Sequence, residues 1–209
     1  MEATDLRVEL LSSTSSKALR AALPNVEVSD SELLRHMSFT FAVEGISRVC
    51  SHQLVRHRVA SFSQQSQRYI PIRRLRERVV VPPTLDGEAE DGYFSTVEAA
   101  SESYEALVAS GISREDARFV LPNATETSLL LTMDGASLLH FFGLRCCYRA
   151  QWEIRELADR MLWTVRRCEP SLFKGAGPYC YQLGHCPEGR FSCGRMQEVA
   201  EKYSKETLG

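Results

Sequence analysis

Between Gln53 and Tyr69 the chain concentrates polar side chains that are costly to order and add little to a core: Gln53, Arg56, His57, Arg58, Gln64, Ser66, Gln67 and Arg68 stand among them. Guanidinium forks suit phosphate oxygens, hydroxyl and amide groups complete a polar cradle, and a glutamine amide can match the imide edge of a pyrimidine. Gln53 and Arg56 are three residues apart and share a helix face, whereas Gln64, Ser66 and Arg68 alternate and would project from one side of an extended run. Two such faces converge on one anionic ligand; a solvated helix end followed by a polar loop is the other way to read the same residues. Ser66 has no adjacent base, because Arg68 only donates, so it reads as a ligand contact and not as a nucleophile. His57 lies between two arginines, whose charge pushes it toward neutrality and toward hydrogen bonding.

Two further groups carry possible chemistry. The basic run Arg73-Arg74-Leu75-Arg76-Glu77-Arg78 has only Tyr69 as a nearby aromatic, which favours a solvated or subunit-contacting segment over a nucleic-acid surface. Cys180, Cys186 and Cys193, with His185, are separated by five and six residues, wider than the pairs of a zinc ribbon. Metal ligation, an oxidisable pair and inert thiols all remain open for them, and the site assignment carries no metal.

The elements that must position these residues follow from periodicity. Leu6, Val8 and Leu10 alternate with polar residues as in a half-buried strand, and residues 15–22 have helical composition up to Pro24. Ser29 with Glu32 has capping-box spacing, and Met37, Phe39, Phe41 and Val43 then mark a strand. Residues 46–55 form a helix that delivers the chain into Arg56. Ser95 with Glu98 caps a helix to about residue 110, and Ser113 opens a short one ending before Pro122. Alternation over 125–133 predicts a strand, Asp134-Gly135 a turn or helix start, and Ile154, Leu157, Ala158, Met161 and Val165 the apolar stripe of a helix ending before Pro170. Arg155, Asp159, Arg160 and Arg166 fall on its opposite, polar face. Residues 174–195 are rich in Gly, Cys and Pro and read as irregular. Strands and helices without βαβ alternation indicate an α+β fold, a single domain over residues 1–209 with a mixed or antiparallel sheet and packed helices.

Composition sets the outer bounds. With 209 residues, 44% of them hydrophobic and 25% charged, the chain can bury a core without disulfides. Lys and Arg number 25 against 27 acidic residues, so no whole-molecule positive field exists to drive nonspecific nucleic-acid binding, and any anion site is local. No apolar run approaches the ~18 residues of a membrane helix, and Glu2 and Asp5 occupy the start in place of a signal peptide. Seven cysteines, with Cys146 and Cys147 adjacent, fit reduced thiols in a cytoplasm. The expectation is a cytoplasmic protein with neither nucleic acid nor membrane as partner.

Arg56-His57-Arg58, seven further residues and then Ser66 resemble the signature of the flavin-dependent thymidylate synthases. The resemblance extends through Phe39-Thr40-Phe41 and Gln53 before it and Gln67-Arg68-Tyr69 after it. It continues in Ala117-Arg118-Phe119-Val120-Leu121-Pro122, in residues 137–145, and in Ala150-Gln151-Trp152-Glu153-Ile154. It implies synthesis of dTMP from dUMP, with methylenetetrahydrofolate as carbon source, FAD as the flavin and NADPH as reductant, in a homotetramer with sites between subunits. By position, Gln53, Arg56, Gln64, Ser66, Gln67, Arg68 and Arg118 fall where the family holds dUMP. Arg56, His57, Arg58, Gln64, Asp134, Gly135, Ala136 and His140 fall where it holds FAD. Arg145 falls where an arginine meets the uracil ring, and a permanently charged guanidinium can favour the ring ionised at N3. The chain departs from the family at Arg35, where an acidic residue is usual, at Gln64 for Glu, at Asp134 and His140 for Asn, and at Ala136 for Arg.

Overall fold

The computed structural model describes residues 6–22 and 24–205. In chain order the elements are β1 (Arg7–Ser13), α1 (Ser16–Ala22), α2 (Asp30–His36), β2 (Ser38–Ser47), α3 (Arg48–Leu54), β3 (Ser61–Gln64), α4 (Gly87–Ala109), α5 (Arg114–Ala117), β4 (Glu126–Asp134), α6 (Gly135–Arg145), α7 (Trp152–Cys168), α8 (Pro170–Phe173), α9 (Tyr179–Leu183) and α10 (Met196–Ser204). The strands form an antiparallel sheet in the order β1-β2-β4-β3 with helices packed around it. The described chain divides into two compact units, one of residues 6–7, 43–53 and 63–129, the other of 8–42, 54–62 and 130–205.

The first unit packs Val97 and Tyr104 of α4 over Ile72, Leu75, Val79 and Ala117. Its helix α4 starts at Gly87, eight residues before the predicted cap at Ser95. Asp86, Glu88 and Glu90 place negative charge at the helix start, where the exposed amides and the dipole favour it, so Ser95 and Glu98 lie in the helix interior. The basic run is neutralised locally: Arg74 pairs with Glu77, Arg76 with Glu98, and Arg78 with Glu126.

In the second unit the predicted strand and capping box take shape: Ser29 accepts from Glu32 N while Glu32 accepts from Ser29 N. Phe39 and Phe41 of β2 are fully buried, and Phe39 meets Phe173 edge to face at 5.5 Å. Ile154, Leu157, Ala158, Met161 and Val165 are all buried, as the stripe on α7 requires. The expected polar face of α7 is not solvent-exposed throughout, because Asp159 and Arg166 are buried as well. Segment 173–176 and α10 cover that side. Arg166 donates to the carbonyls of Phe173, Ala176, Tyr203 and Lys205, and Asp159 takes the Tyr203 hydroxyl and the Lys202 ammonium. β2 runs through Ser47, so α3 begins two residues later than the apolar spacing of 46–55 suggests.

A buried guanidinium bonded to four carbonyls is a clamp whose loss leaves those acceptors dry. Arg166→Met should lower stability by about 3 kcal/mol, the cost of stranding buried acceptors. Urea denaturation followed by circular dichroism measures this; an unchanged midpoint would mean that the C-terminal segment does not depend on Arg166.

Candidate functional site

In the second unit the turn after α3 presents His57. Its backbone is fixed by bonds from His57 N to the Leu54 carbonyl and from Ala60 N to the His57 carbonyl. The ring is 7% exposed and stacks edge-on against Phe141 at 4.9 Å. Arg145, in the last turn of α6, donates from Nε to His57 Nε2 at 2.9 Å. An imidazole nitrogen that accepts an N–H carries no proton itself, so this bond requires the neutral ring with its hydrogen on Nδ1. Burial, then the charge of Arg145, then His140 push the His57 pKa down from 6.5 to about 4. The expected neutrality of His57 is therefore present, but its source is burial and Arg145; the flanking Arg56 and Arg58 are exposed.

Helix α6 aims Arg145. Asp134 caps it, with Oδ1 accepting from Ser137 N at 2.8 Å and Oδ2 from Ser137 Oγ at 2.6 Å. Gly135 is there for close approach: a Cβ would meet Leu34 Cδ2 at 2.7 Å and the Leu34 carbonyl oxygen at 2.9 Å. The resemblance implies a ligand contact for both residues, and the structure gives each a role in placing the helix. Asp134, Ala136, Ser137 and His140 line a cavity of about 450 Å³ together with Arg35 and Val59. Two departures from the family pattern thus meet, since Arg35 on α2 supplies a cation to the cavity that Ala136 lines without one. His140 Nδ1 is 2.5 Å from the Tyr179 hydroxyl of α9.

In the first unit, α3 begins on Arg48, whose N donates to the Thr125 carbonyl while Val49 N donates to that of Asn123. Arg48 and His52, four residues apart on one face of α3, line a cavity of about 390 Å³ with Gln67, Arg118 and Phe119. Burial and then the charge of Arg118 push Arg48 below the ordinary guanidinium range. Gln67 Nε2 is buried with no hydrogen-bond acceptor. Two nearby cations and an unsatisfied donor are individually unfavourable, and an anion with several acceptor oxygens relieves all three.

The predicted extended run through Gln64, Ser66 and Arg68 is not formed. β3 stops at Gln64, whose Nε2 donates to Thr127 Oγ1 at 3.1 Å, and residues 67–69 form a turn. Ser66 Oγ accepts from Arg68 N, and Arg68 pairs at the surface with Glu115. A strand needs a partner for its ladder, and β4 offers one only to the start of this segment, through Gln65 N and the Ser128 carbonyl. Gln67 and Arg118 therefore share one cavity in this unit, and His57, His140 and Arg145 share one cluster in the other, while Arg56 and Arg58 are exposed side chains at the turn. Gln53 is half-buried near the end of α3. Sequence reasoning passed over Arg48, His52 and Tyr179; the four-residue spacing of Arg48 and His52 was the available signal for the first two.

Because the unfolded chain binds the His57 proton near pH 6.5 and the folded ring refuses it until about pH 4, stability should fall as pH drops across that window. His57→Gln keeps an acceptor for Arg145 but does not titrate, so it should lose that part of the decline. Denaturation midpoints taken at both ends of the window decide this, and equal pH dependence in parent and variant would refute a neutral buried His57.

Residues 9–171 match the family described as thymidylate synthase complementing protein. The chain is 50% identical over 178 residues to the flavin-dependent thymidylate synthase of Geobacter sulfurreducens, covering 84% of this chain and 76% of that protein. It is 43% identical over 188 residues to that of Clostridium tetani, covering 81% and 74%. Among solved structures, a UMP/dUMP methylase, PolB, from Streptomyces cacaoi with bound 5-Br dUMP superposes with a TM-score of 0.68 at 25% identity, covering 82% of this chain and 94% of that one. Thymidylate Synthase X from Helicobacter pylori shares the fold, with a TM-score of 0.64 at 22% identity over 81% of this chain and 97% of that one. A match over most of the chain, with relatives this similar, places the protein in the flavin-dependent thymidylate synthase family.

Proposed function

We infer that the protein converts dUMP to dTMP by reductive methylation, with methylenetetrahydrofolate as carbon donor, FAD as the flavin and NADPH as reductant. The relatives' shared name and the 5-Br dUMP held by the Streptomyces methylase support this reading. Within the chain the observation that carries it is the bond from Arg145 Nε to His57 Nε2. A bond at Nε fixes the plane of the guanidinium, and a planar cation that cannot deprotonate favours uracil in its N3-ionised form, whose C5 is the better carbon nucleophile.

The residues fit the remaining requirements. Arg48, Arg118, His52 and Gln67 Nε2 suit the nucleotide phosphate, and the resemblance adds Gln53, Arg56, Gln64, Ser66 and Arg68 to the same ligand. Bound FAD supplies hydride. Arg35, Ser137 and His140, around the cavity at the start of α6, offer the donors and the cation that its phosphates require, with Arg56, His57, Arg58 and Gln64 as further contacts by resemblance. Both units belong to one functional domain in this reading, because β2 and β4 each run through both. A homotetramer is proposed as well: Phe119, beside the phosphate cavity, is 84% exposed, and Tyr69 is 70% exposed, large apolar surfaces that a neighbouring subunit would cover.

Arg145→Lys keeps the charge and loses the fork, so single-turnover dTMP formation with prereduced flavin at saturating dUMP should slow by about 10²- to 10³-fold. Nucleotide affinity should weaken much less. Equal single-turnover rates would remove Arg145 from the reacting centre and leave a nucleotide-binding protein as the better description. Arg48→Ala tests the phosphate assignment separately: calorimetric dUMP affinity should drop at least tenfold, a charge-assisted bond of about 1.5–3 kcal/mol, while binding of unphosphorylated deoxyuridine stays unchanged.

A further inference from the structure

The family match ends at residue 171, yet residues 172–205 include α9 and α10 and carry three cysteines. Within the second unit, Cys180 of α9 and Cys186 and Cys193 of the following irregular segment line one cavity of about 320 Å³ with a fourth cysteine, Cys147, just past α6. All four are free thiols. His185 does not line the cavity, and its Nδ1 lies 3.2 Å from the Leu183 carbonyl oxygen, so the histidine grouped with these cysteines in the sequence drops out.

Something must order the segment that holds two of them. From 184 to 195 every residue is exposed except the half-buried Cys186, and Gly184, Gly189 and Gly194 adopt positive φ of 71°, 51° and 74°. Twelve residues with no buried apolar side chain cannot offset their own conformational entropy by burial, and short segments of that kind are held by disulfides or metals. The geometry separates the options. A tetrahedral ion with metal–sulfur bonds of about 2.3 Å draws its thiolates to within about 4 Å of one another. Among the described residues no three Cys, His, Asp or Glu side chains converge closely enough to hold one ion. A cubane iron–sulfur core differs, because each thiolate binds its own iron and the four sulfurs stand apart around a central volume. Arg145, Arg149 and Glu188 also line the cavity, and because Arg149 pairs with Glu188 the positive charge beside a group that would be anionic comes from Arg145.

We propose that Cys147, Cys180, Cys186 and Cys193 ligate a [4Fe–4S] cluster that staples the C-terminal segment to the end of α6. Ligation deprotonates the four thiols, forms four iron–sulfur bonds and changes no oxidation state. The cluster is structural in this proposal, and it lies against the helix end that carries Arg145.

The test uses the full chain purified without oxygen and reconstituted with sulfide and equal amounts of ferrous and ferric iron, which together supply the resting core with no change of oxidation state. Chemical analysis should find about four irons and four acid-labile sulfides per chain, and dithionite reduction should give the electron paramagnetic resonance signal of a reduced cubane, which the flavin does not obscure. Cys186→Ser and, independently, the exposed Cys193→Ser should each reduce the iron at least fourfold. Cys168→Ser, an exposed cysteine outside the cavity, should retain it. Calorimetric dUMP binding shows that each variant is folded. A chain that takes up no iron, that holds a single zinc instead, or that keeps its iron in both Cys186→Ser and Cys193→Ser would overturn the proposal.

Discussion

The arrangement of the second unit turns on one hydrogen bond that only an uncharged imidazole can accept. His57 is buried against Phe141, where a charged ring would be poorly solvated, and Arg145 beside it raises the cost of a second positive charge further. Each cause reinforces the other, because a neutral His57 is the only form that can take the Arg145 Nε proton. The rest of the unit holds the two ends in place. Asp134 and Gly135 fix where α6 starts and how near it lies to α2, and the aromatic and aliphatic packing of α6 and α7 fixes where it ends.

The first unit solves a different problem by leaving charge unbalanced. Several arginines are neutralised by carboxylates, as Arg76 and Arg78 are. Arg48 instead loses water and faces the charge of Arg118, and Gln67 contributes a donor with nothing to donate to. Such an arrangement costs folding free energy, which the chain can carry because backbone bonds from α3 to residues 123 and 125 and the apolar packing under α4 fix the surrounding elements. In the proposed function, stability given up at these residues is recovered when the nucleotide phosphate binds.

Much of this was legible in the sequence where one face of an element meets a core. The alternation of Phe39, Phe41 and Val43 and the stripe on α7 specify burial directly, and Ser29 with Glu32 specifies a cap that forms as written. The same reasoning misplaced the start of α4, because the spacing of Ser95 and Glu98 occurs by chance inside a helix whose real start is marked by acidic residues after Asp86. It also gave α7 a polar side, since nothing local in Asp159 and Arg166 reveals that the chain returns more than thirty residues later to cover them. Site residues divide in the same way. His57 was singled out by the signature and Arg145 by the resemblance of residues 137–145, but their mutual bond, the cation supplied by Arg35 and the closeness of Arg48 to Arg118 are relations between distant residues, and only the fold displays them.

Nitrogen-15 magnetic resonance of selectively labelled histidine would examine the His57–Arg145 bond itself. The account predicts that in the folded protein His57 carries its hydrogen on Nδ1, that Nε2 has the shift of an unprotonated acceptor, and that neither changes from about pH 8 down to about pH 5, given a pKa of about 4. An imidazole that titrates near its ordinary 6.5, or one protonated at Nε2 in neutral solution, could not accept the Arg145 proton and would contradict the mechanism drawn from it.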